Sequence, residues 1–162
     1  MRSFLRNTKL SVPVGLALLA GIAWVAFGYF GAHRLVVDDR VSDAPPAFTA
    51  TSGEIVTEYQ GAFVGLEHET TGDAIVLGDG SGERFLRFEG FETSNGPDVN
   101  VYLVNSEADG IDDSIDLGDL RGNIGDQNYV IPADVDLDVY DTVLIWCVRF
   151  SAPFGEADLA AS

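Results

Sequence analysis

The sequence predicts an all-β domain, an antiparallel β-sandwich or flattened barrel of about seven or eight short strands, preceded by one transmembrane helix. Three observations carry that expectation. From Gly53 onward, short apolar runs are separated by clusters of Gly, Asn and Asp. Several runs repeat with a period of two, which puts alternate side chains on one face of a strand, and no helical period appears there. Before them lies an apolar stretch of 23 residues, Leu10–Ala32, broken only by Ser11.

That stretch is long enough to cross a hydrocarbon layer of ~30 Å at ~1.5 Å per residue. Arg2, Arg6 and Lys9 precede it, and Asp38, Asp39 and Asp43 follow it. Excess positive charge on the N-terminal side places residues 1–9 in the cytoplasm and residues 53–162 outside a cell membrane, in single-pass topology. Ala26-Phe27-Gly28 has the form of a signal-peptidase site, but the apolar run exceeds a usual signal core, so an uncleaved signal anchor is expected. No cysteine follows the run, which excludes a lipoprotein. Residues 33–52, with Pro45-Pro46 and little periodicity, read as a tether.

Within the domain, Ile55–Phe63 reads as a first strand, with Gly61 permitting a bulge, and Ala74–Leu77 as a short apolar one. Asp79–Gly82 is a glycine-rich turn. Leu86 and Phe88 alternate with Phe85, Arg87 and Glu89, giving an apolar and a partly charged face. Val99, Val101 and Leu103 share a face of the next strand. Glu107–Asp119 reads as a long acidic loop, Leu120–Asn128 as a turn region and Tyr129–Ile131 as a brief strand stopped by Pro132. Ala133–Tyr140 alternates apolar residues with aspartates and reads as another strand. Thr142–Phe150 is the densest apolar run outside the N-terminal region and reads as the central strand.

Beyond residue 33, six arginines stand against 26 carboxylates, a formal charge of −20, with no lysine. Such a surface repels phosphate backbones and excludes nucleic acid as a partner. The single cysteine, Cys147, leaves no intramolecular disulfide. It shares a strand face with Val143, Ile145 and Arg149; it reads either as a buried thiol that packs as a small hydrophobe or as a thiolate, for which Arg149 is the nearby stabilising cation. His68, between Glu67 and Glu69, is a possible partner for the thiol. Haem, blue-copper and iron–sulfur centres lack their usual ligands, since the domain holds one histidine, one cysteine and no methionine. The sequence requires no cofactor. Asp109, Asp112, Asp113 and Asp116 offer oxygen ligands for a cation, but their spacing departs from the EF-hand pattern and favours a solvated loop.

From Gly61 to Leu159 the chain resembles the DM-thirteen domain, an extracytoplasmic module classed as electron-transferring and often found beside DOMON redox domains. The matching residues are, in order, Gly61, Phe63, His68 and Gly72; Phe91; Gly96-Pro97-Asp98; and Val101-Tyr102-Leu103. Leu117-Gly118, Leu120 and Gly122 follow, then the G-x-Q-x-Y element Gly125, Gln127 and Tyr129. Pro132, Tyr140, Ile145-Trp146-Cys147, Phe150, Phe154-Gly155, Ala157 and Leu159 complete the match. The resemblance implies a β-rich fold and a redox role for Cys147. The chain carries no DOMON partner of its own, so a redox partner would be a separate molecule. A binding or adhesion module that uses its acidic loops to meet cell-surface partners or cations is the alternative.

Overall fold

In the computed structural model, residues 8–29, 37–49, 53–108 and 110–162 are described. Helix α1 covers Thr8–Trp24 and continues into a π-helical turn, Val25–Tyr29. Among the described residues no helix is long and apolar enough to cross a membrane. The continuous spanning helix expected over 10–32 is therefore not shown: its α-helical part is 17 residues, roughly 26 Å at ~1.5 Å each, and residues 30–32 lie outside the described set. Leu16, Leu18, Leu19, Ile22 and Trp24 are all exposed on this helix.

The rest of the described chain forms eleven strands: β1 (Arg40–Ser42), β2 (Val56–Ala62), β3 (Val64–Gly65), β4 (Thr71–Gly78), β5 (Arg84–Glu92), β6 (Val99–Val104), β7 (Ser114–Asp119), β8 (Ile124–Ile131), β9 (Thr142–Cys147), β10 (Ala152–Asp158) and β11 (Ala160–Ala161). They make two sheets, a six-stranded one in the order β1-β8-β5-β4-β2-β11 and a five-stranded one in the order β3-β10-β9-β6-β7. All pairings are antiparallel except β1 with β8. The sandwich core follows from period-two alternation. Ala74, Val76, Leu86, Phe88 and Ile131 from one sheet meet Val101, Leu103, Val143 and Ile145 from the other, all at most 2 % exposed. Each fully buried large apolar side chain contributes about 1.5–3 kcal/mol. Phe63, Phe88 and Phe91 pack with ring centroids 4.8–5.0 Å apart at the centre.

Five expectations change. The acidic loop is shorter, because Ile115 and Leu117 alternate with polar residues and form β7 against β6. The region 120–128 supplies most of β8 rather than a turn. Ala133–Tyr140 is not a strand: Asp136 satisfies local donors, its carboxylate accepting from Asp138 N (3.0 Å) and its carbonyl from Tyr140 N (2.9 Å). Val135 and Leu137 still reach the core, and Arg84 holds the segment by donating to the Val135 carbonyl at 2.6 Å. The central strand is central to its sheet, but it stops at Cys147 and Val148–Ser151 turn back into β10. The bulge in β2 falls between Thr57 and Tyr59 rather than at Gly61.

Residues 37–49 of the segment read as a tether are bound to the domain. β1 adds to the edge of β8, Arg40 opposite Ile124 and Ser42 opposite Asp126. The chain then crosses the outer face of the six-stranded sheet. There the carbonyls of Asp43 and Ala44 accept from the Arg87 guanidinium (3.3 and 3.5 Å), and Phe48 meets Phe85 edge-to-face at 5.1 Å. Arg87 is 5 % exposed and also pairs with Glu89 and Asp126, so this strap seals a charge against the sheet. Gly125 has φ +108°, and a Cβ there would strike the Val41 carbonyl. A glycine at this position is what lets the strap approach.

Candidate functional site

Strand β9 lies between β6 and β10, and its alternation turns Val143, Ile145 and Cys147 inward, each with no exposure. Cys147 faces Val99 of β6 on one side and Ala152 of β10 on the other. The thiol is free and buried among apolar side chains. Arg149 does not follow Cys147 on that face, because the strand has ended and Arg149 sits exposed in the turn. His68 is half-buried, stacks its ring on Phe154 with centroids 3.9 Å apart, and donates its backbone N–H to the Phe154 carbonyl. Among the described residues no hydrogen bond joins His68 to Cys147.

The carboxylates of the acidic segment turn to separate partners. Asp113 accepts from Asn105 Nδ2 and from the Tyr140 hydroxyl, each at 3.0 Å. Asp116, on β7, accepts from Gly118 N at 2.7 Å and from Asn100 Nδ2 at 3.2 Å. Asp112 is exposed, and Asp109 lies outside the described residues. Among the described residues no three His, Cys, Asp or Glu side chains converge as a metal site. In the Asp79–Gly82 turn, Asp79 Oδ1 accepts from Ser81 N (2.9 Å) and Ser81 Oγ, the local bonds of a glycine-rich turn.

Sequence reasoning missed a hollow of about 520 Å³ at one end of the sandwich, bounded by Asp39, Asn95–Val99 and Asp119–Asn123. Its walls join strap to domain: Asn95 Nδ2 donates to the Val37 carbonyl (2.7 Å), and Asn123 Oδ1 accepts from Asp39 N (2.7 Å). Val99 lines the hollow and is also the cross-strand partner of Cys147. The loop on the far wall is held from within. Gln127 has no exposure; its Oε1 accepts from Arg121 N, Gly122 N and the Tyr129 hydroxyl (2.7 Å), and its Nε2 donates to the Gly122 carbonyl (2.9 Å). Burial pushes the Tyr129 hydroxyl well above its usual pKa, so it stays a neutral donor. The spacing Gly125-x-Gln127-x-Tyr129 was the available signal: a period of two puts Gln127 and Tyr129 together in the core, while Gly125 lies opposite Val41 of β1.

Chemically, the site offers one sealed thiol, one histidine at the rim of the sandwich and a polar hollow beside Val99. A model of the family described as "Electron transfer DM13" matches residues 62–159, well over half of the chain. No curated protein and no solved structure matches.

Proposed function

The chain belongs to the DM13 electron-transfer family, and on that premise we propose that it is an electron-transfer module held outside a cell membrane, with Cys147 as the group that changes oxidation state. The observation that carries this reading is that the matched region contains the only cysteine of the chain. A disulfide of a separate partner protein is the fitting co-reactant. Cys147 loses its proton, its Sγ attacks one partner sulfur, and a mixed disulfide forms. The other partner sulfur leaves as a thiolate and takes up a proton; Cys147 is oxidised and the partner reduced. With Cys147 at zero exposure, this exchange requires the sandwich to open beside Val99.

Membrane attachment through residues 10–32 is part of the proposal. The exposed apolar side chains of α1 and the cations Arg2, Arg6 and Lys9 before it support an anchor with a cytoplasmic N-terminus. Lipid is the partner of that segment.

The test is equilibration of the full chain in a series of glutathione redox buffers, read by intact mass. Reversible glutathionylation at intermediate poise, lost in Cys147→Ala, is the expected result. Modification that appears only with denaturant would overturn thiol exchange. The complete burial of Cys147 favours a second reading in that event, a non-catalytic module that binds a cell-surface partner.

A further inference from the structure

Strand β9 has a second face. There Leu144 and Val104 are buried, but by different means from the core. Ile111, from the acidic loop, folds back over them and Tyr102, and Trp146 joins the cluster half-buried. The loop covers only part of this surface. Beside it runs a groove of about 340 Å³ with Val104, Leu144 and Trp146 in its floor and Leu66, Pro153 and Ala108 along its walls. Leu66 is 45 % exposed. Glu156 and Asp158 also line the groove, and no lysine or arginine does. Glu67 and Glu107, each next in sequence to a lining residue, are exposed as well.

We propose that this groove on the outer face of the five-stranded sheet docks a segment of a partner protein that carries an apolar side chain flanked by lysine or arginine. Charge selects this occupant. A second copy of the chain would bring its own excess of carboxylates to an acidic rim, and an anionic lipid surface would be repelled in the same way. The strap cannot fill it, because it lies on the other sheet. An apolar side chain would displace water from Trp146 and Leu144 while its basic neighbours meet Glu156 and Asp158. The surface lies on the opposite face of β9 from Cys147, and docking there does not depend on thiol chemistry.

The experiment uses the full chain in nonionic detergent with Trp24→Phe, which leaves Trp146 as the sole tryptophan. Its emission is followed while an alternating Lys–Leu hexapeptide amide is added, with Lys–Ser and Glu–Leu hexapeptides as controls. A saturable blue shift with the Lys–Leu peptide is expected. At least tenfold weaker binding is expected for Leu66→Arg, and several-fold weaker binding for Glu156→Gln, which alters charge with little change of shape. Urea midpoints near that of the parent establish that both variants fold. No response of Trp146 to the Lys–Leu peptide would overturn the proposal. So would an equal response to Lys–Ser, to Glu–Leu or in the folded variants, since the attraction would then be diffuse charge or lie elsewhere.

Discussion

Val99 and Cys147 are direct cross-strand partners, and Val99 is a buried core residue that also lines the polar hollow between Asn95 and Asn123. Access to the thiol therefore has a specific wall. Maleimide labelling of the native chain is expected to be slow and to become fast in denaturant. Val99→Ala, which removes two methyl groups from that wall, is expected to cost about 2 kcal/mol and to raise the native labelling rate well beyond the ~30-fold that this loss of stability gives through global unfolding. A rise of no more than ~30-fold, which the loss of stability alone gives, would mean that the thiol is reached only through global unfolding.

Substitution of Cys147 itself separates shape from polarity. Cys147→Ala leaves a small cavity and is expected to cost about 1 kcal/mol. Cys147→Ser keeps the size but buries a hydroxyl in an apolar cluster, and is expected to cost about 1–3 kcal/mol more. Urea unfolding of the two variants checks the order; serine as the milder change would contradict the burial described above.

The strap predicts that the stable unit begins near residue 37. A fragment 53–162 lacks the carbonyls that cap Arg87 and the Asp43 carboxylate that pairs with Arg121. It is expected to be less stable than 37–162 by at least about 2 kcal/mol. Gly125→Ala in the full chain forces a Cβ into the Val41 carbonyl at a positive φ, costing about 1–3 kcal/mol in strain alone. The same variant is expected to speed proteolytic cleavage within 37–49. Equal midpoints for the two fragments would show the strap to be a passive covering.

Stability is expected to fall on the alkaline side. Burial raises the pKa of Tyr129 and Tyr102, and hydrogen bonds to the Asp138 and Asp113 carboxylates raise those of Tyr59 and Tyr140. Each folded pKa lies above the unfolded value of about 10, so the folded state holds protons that the unfolded state releases. The contribution is complete below pH ~10 and is lost as pH rises toward the folded values. Urea midpoints from pH 8 to 11.5 should decline above pH ~10, and Tyr129→Phe should flatten that decline. A decline of the same slope in Tyr129→Phe would assign it to the other tyrosines.

Period-two alternation identified the inward faces of β5 and β6 because burial on one side of a strand leaves a mark at every second residue; β9 is apolar on both faces, and its alternation did not say which one turns inward. The same rule misread Ala133–Tyr140, where Val135 and Leu137 do enter the core but the Asp136 carboxylate and the Pro132 and Asp136 carbonyls supply local backbone partners in place of a neighbouring strand. Gln127 gave no such mark: it is a polar side chain with no exposure, and its value lies in bonds to Arg121, Gly122 and Tyr129. Arg149 was set beside Cys147 by extending the alternation past the end of β9.

Composition, charge and periodicity pointed to a β-rich acidic domain, and short motifs in order from Gly61 to Leu159 to the likeness with DM-thirteen domains, since these depend on residues near one another along the chain. The strap on β8, the hollow beside Val99 and the apolar groove over Trp146 arise from contacts between segments tens of residues apart. Hydrogen bonds and packing across such distances follow from how two sheets close on each other, and a linear pattern carries no record of that closure.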